Sequence, residues 1–254
     1  MNWHARYAQQ AKWTRDLRAY IFKKAKLDDA KRVLEVGCGT GAILSELPPR
    51  LPLTCTAPNA VRCKCHGLDL DPAALAECRI HAPSASLIQG NALSLPYSNG
   101  SFDIVYCHFL LLWVHDPLQA LLEMKRVTKS GGHIIAFAEP DYSHRIDKPD
   151  ELGQLGKWQT GSLIKQGADP GLGARLAELF FQAGIKINEA GTIQGRETDS
   201  SPEEWEIEWA VVESDLAGFV SGEDLQKMKT LDQHARARGE RVLQVPTYFV
   251  WGSP

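Results

Sequence analysis

The sequence has no run approaching the ~20 apolar residues that a membrane-spanning helix requires, and its opening stretch, MNWHARYAQQAK, lacks the apolar core of a secretory signal. A soluble, cytoplasmic protein is therefore expected. An excess of charge is also missing: 28 Lys and Arg against 31 Asp and Glu leave a net charge of −3. Nucleic-acid binders usually carry a basic face, so RNA and DNA are disfavoured as substrates. Internal repeats and low-complexity segments are absent. The six cysteines (Cys38, Cys55, Cys63, Cys65, Cys78 and Cys107) do not follow a common zinc spacing. Cys63, Cys65 and His66 form a C-x-C-H cluster near Cys55, but paired zinc ligands are usually separated by two to four residues. Free thiols and no bound metal are expected, as suits a chain without a secretory signal.

What is present begins at Val33. VLEVGCGTG, residues 33–41, is an apolar strand carrying Glu35 that runs into a turn holding Gly37, Gly39 and Gly41. A strand that turns at once needs positive φ values, which glycine adopts cheaply. Without Cβ atoms on the loop, a nucleotide-type cofactor can lie against the backbone and meet free N–H groups of a helix expected to start near Ala42. The glycines alone also fit the loose dinucleotide pattern G-x-G-x-x-G/A. Two further segments decide between these readings. HGLDLDP, residues 66–72, reads as a second strand ending at Asp69, with Pro72 opening a helix where its missing N–H costs nothing. A carboxylate at that strand end can accept both ribose hydroxyls of an adenosine. LIQGNALSLP, residues 87–96, reads as a third strand ending at Gly90, Asn91 and Ala92, and an Asn side chain there can hydrogen-bond an adenine edge. SFDIVYCHFLLLWVHDP, residues 101–117, supplies a fourth strand.

In this order the motifs resemble those of the class I S-adenosylmethionine-dependent methyltransferases, in the branch called methyltransferase type 11. The resemblance covers roughly residues 30–140. It implies an α/β fold: a Rossmann-like three-layer sandwich with a seven-stranded, mostly parallel sheet and an antiparallel C-terminal strand, plus helical lid and cap insertions. It implies S-adenosyl-L-methionine as cofactor, held by Glu35, Gly37, Cys38, Gly39, Thr40 and Gly41 at the methionine half and by Asp69 and Leu70 at the ribose. Asn91 and Ala92 are implied at the adenine and His108 at the methyl-transfer face. Three departures stand out. Asp69 follows Gly37 by 32 positions rather than the ~20 usual for a dinucleotide-type unit, so the Pro-rich segment 48–64 reads as an inserted surface loop. Leu112 and Trp113 stand where many relatives carry a His pair. Asn91 replaces an Asp, which keeps an acceptor and loses a charge.

The remainder reads as additions to one domain spanning residues 1–254, with 30–140 as the cofactor-binding core and 171–199 and 241–254 completing the sheet. Trp3, Tyr7, Gln10, Trp13 and Leu17 recur at helical spacing. Residues 1–29 therefore read as one or two helices, either packed on the sheet edge or serving as a lid that places Tyr7, Gln10, Trp13 or Thr14 over the cofactor. Residues 141–170 and 200–240 are too long for simple connections and read as substrate caps beyond the carboxyl ends of the strands, where open α/β sheets bind ligands. Tyr142, Trp158, Trp205 and Trp209 are candidates for a pocket wall or for helix packing. The acceptor is expected to be a small apolar or aromatic molecule with an O, N, C or S nucleophile. His108, Glu139, Asp141 and His144 are the candidate bases, each with an alternative as an ordinary core or loop residue. The other classes left open are a cofactor-binding protein without catalysis and an NAD-dependent oxidoreductase. The sequence leaves monomer or homodimer open.

Overall fold

The computed structural model describes residues 2–47, 63–193 and 201–254. The chain starts with two helices, α1 (Trp3–Trp13) and α2 (Arg15–Lys24), that meet at Thr14. Asn2 caps α1, its side-chain oxygen accepting the Ala5 N–H at 3.0 Å. There follow β1 (Arg32–Val36), β2 (Lys64–Asp69), α3 (Pro72–His81), β3 (Ser86–Gln89), β4 (Phe102–His108), α4 (Pro117–Val127) and β5 (Thr128–Pro140). Asp71 and Asp116 cap α3 and α4, each followed by a proline in the first turn, as the sequence pattern at Pro72 predicts. Beyond β5 come β6 (Ile146–Lys148), α5 (Gly153–Lys165), α6 (Leu172–Gln182), β7 (Lys186–Ile193), α7 (Pro202–Leu216), α8 (Gly222–Ala237), β8 (Val242–Gln244) and β9 (Thr247–Ser253).

Seven strands form one sheet in the order β3-β2-β1-β4-β5-β9-β7, with β9 antiparallel to both of its neighbours and the other pairings parallel. Alternation along each central strand feeds two separate cores, as a sheet covered on both faces requires. Leu34, Val36, Val105, Cys107, Ile134 and Ala136 pack under α4 and α6. On the opposite face Val33, Ile104, Tyr106, Ile135 and Phe137 pack with α2 and α3. The α/β three-layer arrangement and the antiparallel last strand agree with the sequence expectation. The ribbon formed by β6 and β8 was not anticipated: β8, in the segment expected to complete the sheet, pairs instead with β6 in the 141–170 cap.

One local expectation needs correction. After the glycine loop the described chain forms only a short 3-10 turn, Leu44–Glu46, rather than a helix opening near Ala42. The inserted segment 48–64 falls almost wholly outside the described residues, Cys55 with it. Among the described residues no helix is long and apolar enough to cross a membrane, and no group of three or more His, Cys, Asp or Glu is arranged to hold a metal ion.

Candidate cofactor and acceptor site

The carboxyl ends of β1, β2 and β4 converge on a cavity of about 400 Å³. Glu35, Gly37, Cys38, Gly39, Asp69 and His108, six of the residues expected to hold the cofactor, line it. Glu35 is buried, and its Oε2 accepts the Tyr106 hydroxyl at 3.0 Å. Loss of water pushes its carboxyl well above the usual range, although Tyr106 and the Arg18 charge oppose the shift. At Gly37 φ is +72°, and a Cβ there would sit 2.6 Å from Leu110 Cδ1, so both the conformation and the space call for glycine. The loop amides are already bonded. Gly37 and Cys38 N–H donate to the Leu68 carbonyl at 2.7 and 3.0 Å, and Gly39 N–H to Asp69 Oδ2 at 2.7 Å. The loop is thus shaped by the end of β2, and the expected row of free helix-terminal amides is replaced by a wall of side chains.

The other expected cofactor residues stand outside that cavity lining. Thr40 is buried and pairs through Oγ1 with His4 Nδ1 at 2.9 Å. Gly41, at φ +82°, packs on Cys78 of α3. Leu70 is exposed. Asn91 Oδ1 accepts the Leu93 N–H at 2.9 Å, which engages in a local turn the acceptor expected to face an adenine. Ala92 packs against the core beneath α4 and α6.

A second cavity, of about 260 Å³, adjoins the first. Arg6, Gln10, Phe109, Tyr142, Gln159 and Val211 line both, forming their common wall. Phe109 adopts φ +50°, an uncommon conformation for a bulky residue, at the point where β4 ends against both cavities. Of the residues that the lid reading names, Tyr7 lines the first cavity, Trp13 and Thr14 the second, and Gln10 both. Of the four aromatic cap candidates, Tyr142 and Trp209 line the second cavity. Trp205 donates its indole N–H to Asp232, and Trp158 packs in a small cap core around Leu155, Val212 and Leu216.

Of the four candidate bases only His108 reaches a cavity. Its Nε2 pairs with Thr14 Oγ1 at 2.9 Å, and loss of water together with the Arg18 charge lowers its pKa to about 3. Glu139 is completely buried beneath the chain that leaves β4, where it accepts the N–H groups of Leu110, Leu111 and Leu112 at 3.1, 3.0 and 3.2 Å. Burial raises its pKa to about 7 despite those three donors. A register shift in β5 between Ala136 and Glu139 turns this carboxylate toward the 110–112 segment. Asp141 is also buried and accepts from the Ser143 N–H at 2.9 Å and from His144 Nδ1 at 2.7 Å, while the His144 side chain is mostly exposed. Neither Asp141 nor His144 lines either cavity. The carboxylates at the end of β5 thus organise turns: Glu139 pairs with three backbone donors and Asp141 with one together with the Ser143 and His144 side chains.

Sequence reasoning missed Arg6, Leu110, Gln159, Val211 and Asp215 at this site. They lie on helices or turns whose local pattern carries no trace of which face meets the sheet end.

The family profile of the methyltransferase domain matches residues 34–136. Over 125 residues the chain is 35% identical to the phthiotriol/phenolphthiotriol dimycocerosates methyltransferase of Mycobacterium leprae, covering 46% of this chain and 40% of that protein. Over 137 residues it is 32% identical to the demethylmenaquinone methyltransferase of Geobacillus stearothermophilus, covering 52% of this chain and 53% of that one. The chain spans about half the length of the curated relatives it matches. A solved geranyl diphosphate methyltransferase in complex with S-adenosylmethionine shares the fold with a TM-score of 0.52 at 14% identity, over 96% of this chain and 89% of that one. Over residues 34–136 the chain matches the methyltransferase domain family, and the strand order and the glycine loop agree with that match.

Proposed function

We propose that the protein transfers a methyl group from S-adenosyl-L-methionine to a small-molecule acceptor. The observation that carries this reading is the pair of adjoining cavities at the carboxyl end of the sheet, separated by one shared wall. Glu35, Gly37, Cys38, Gly39 and Asp69 fit the cofactor. A buried carboxylate faces the first cavity beside a loop free of side chains at its tightest point, and Asp69 adds a second acceptor at the ribose position. When bound, the sulfonium supplies an electrophilic methyl group.

The chain's own contribution is placement and exclusion of water. The helices α1, α5 and α7 contribute Tyr7, Gln159 and Val211 over the strand ends, which confines two small molecules to neighbouring spaces. Holding reactants at near-attack geometry can contribute roughly 7 to 11 kcal/mol to lowering a barrier. With a pKa of about 3, His108 is neutral near pH 7 and a weak proton acceptor. Its role is to fasten the α1–α2 junction through Thr14 to the end of β4. Glu139 acts as a positioning residue, holding the turn that sets Leu110 against Gly37 and Leu112 in the cavity wall.

Calorimetric titration with S-adenosylhomocysteine and S-adenosylmethionine, with NAD as control, tests the reading. Micromolar binding of the first two is expected, with no binding of NAD. Gly37→Ala, whose Cβ would meet Leu110 at 2.6 Å, should weaken binding by at least about tenfold. Binding of NAD alone would refute the proposal.

A further inference from the structure

The second cavity departs from the expected apolar pocket: Arg6, Arg145, Arg236 and Arg241 line it together with Glu208 and Asp232. Three of these arginines are matched. Arg145 grips Asp147 with two N–H groups at 2.7 and 3.1 Å and reaches Gln159 at 2.5 Å. Arg241 lies between Asp147 at 2.9 Å and Asp232 at 2.5 Å, and Arg236 between Asp232 at 3.1 Å and Glu208 at 3.0 Å. Three cations and three carboxylates thus form one chain of ion pairs. Arg6 stands apart from it. Among the described residues no carboxylate lies within ion-pair distance of Arg6. Its one side-chain hydrogen bond, at 2.9 Å, goes to Gln9, which itself donates to Glu208 at 3.2 Å. The guanidinium lies over the Trp13 ring at 4.9 Å, which holds it in place while leaving its outer N–H groups available. Asp215 lines the first cavity, where burial raises its pKa while the Arg6 charge and a hydrogen bond to Gln166 oppose that shift, and the two side chains make no ion pair. The remaining wall combines the apolar Leu155, Trp209, Val212, Leu243 and Val245 with the polar Gln10, Thr14, Gln159 and Thr247.

Resting on the methyltransferase reading, we propose that the acceptor is a small organic acid whose carboxylate is bound by Arg6 while its apolar body fills the space toward Trp209 and Val245. A planar guanidinium offers two parallel N–H donors that match a carboxylate. A neutral molecule would leave the Arg6 guanidinium with no carboxylate at ion-pair distance in a half-enclosed cavity. Arg6 is then the residue that selects the acceptor, and the proposal concerns the group recognised rather than the atom methylated.

The test uses the full chain saturated with S-adenosylhomocysteine and titrated calorimetrically with matched probes: hexanoate, benzoate, 4-hydroxyphenylacetate and indole-3-acetate against their neutral amides. At least one acid should bind about tenfold or more tightly than its amide, a difference typical of a charge-assisted hydrogen bond. Arg6→Gln should abolish that preference, Arg6→Lys should retain part of it, and the affinity for S-adenosylhomocysteine should change by less than the acid preference does. Equal binding of acids and amides, or no binding by any acid, overturns the proposal. So does a loss of cofactor affinity in Arg6→Gln as large as the loss of acid binding, which would assign the guanidinium to the cofactor's own carboxylate. Failure of the unaltered protein to bind S-adenosylhomocysteine is a separate result that removes the methyltransferase reading itself.

Discussion

Glu139 shapes the first cavity without lining it. Completely buried beneath three backbone N–H groups, it fixes the turn from which Leu110 and Leu112 reach the first cavity. Its pKa rises from an ordinary 4.5 to about 7 because burial outweighs those donors. The sign of the consequence follows from proton linkage. Below about 4.5 the group is protonated in folded and unfolded chains alike, and between about 4.5 and 7 the unfolded chain loses its proton first. Stability contributed by this residue is therefore present at low pH and falls as pH rises to about 7, by roughly 3 kcal/mol over that window. Denaturant unfolding of Glu139→Gln measured from pH 5 to 8 should show a shallower decline than the unaltered protein. A residual decline should persist from Glu35, which burial shifts in the same direction. An unchanged slope would mean that Glu139 is not buried as an acid.

At the scale of elements, α1 and α2 divide the work that a single amphipathic pattern suggested. In α2, Ile21 and Phe22 are buried, with Phe22 edge-on to Tyr106 and Phe137, so this helix belongs to the core. Apart from Gln9 and Ala11, α1 buries little, and it meets the rest of the molecule largely through polar contacts. His4 stacks on His81 at 3.4 Å and bonds Thr40 of the glycine loop, while Gln9 and Lys12 reach α7 at Glu204. A helix held this way contributes little to global stability and is suited to opening locally. Deleting residues 2–13 should weaken S-adenosylhomocysteine binding at least about tenfold while lowering the melting temperature by only about 4 °C or less, as for a loss near 1 kcal/mol. Comparable loss of both would place α1 with the core. Both helices were legible from the spacing of Trp3, Tyr7, Trp13 and Leu17. Their division at Thr14, and which of them closes the site, depends on contacts with β4 and α7.

Over the whole molecule, the caps are joined to each other by buried charge. Asp232 of α8 accepts both indole N–H groups of α7, from Trp205 at 2.6 Å and Trp209 at 2.9 Å, together with Arg236 and Arg241. Arg241 continues to Asp147 beside the β6–β8 ribbon, so residues from 147 to 241 meet at one point. Removing one member of such a network leaves its partners charged and unpaired in a dry setting, which is more costly than the net value of the pair. Asp232→Ala should therefore lower unfolding stability by about 3 to 5 kcal/mol in urea titration, with acceptor-probe binding reduced more than cofactor binding. A change below about 1 kcal/mol, the value of an exposed ion pair, would show that the cap is held by its apolar core alone.

Local sequence pattern accounts for the central strands and for the residues at their ends that line the first cavity. Strand boundaries at Val36, Asp69 and His108 follow from apolar runs that end in glycine, acid or polar residues, and the chain then has few alternatives but to gather those ends. The expected residues that line the first cavity, Glu35, Gly37, Cys38, Gly39, Asp69 and His108, all sit at such ends. Those expected at Thr40, Gly41, Leu70, Asn91 and Ala92 lie next to the same ends, but their side chains turn to local partners or solvent that sequence spacing does not encode. Only the tertiary structure builds the second cavity. There Arg6, Gln159, Val211 and Arg241 come together from segments more than two hundred residues apart, and Arg6 is left without an ion-pair partner only once Asp147, Glu208 and Asp232 have taken the other arginines. Local pattern fixes which residues turn inward along one element, whereas pairing between elements fixes which charges remain uncompensated.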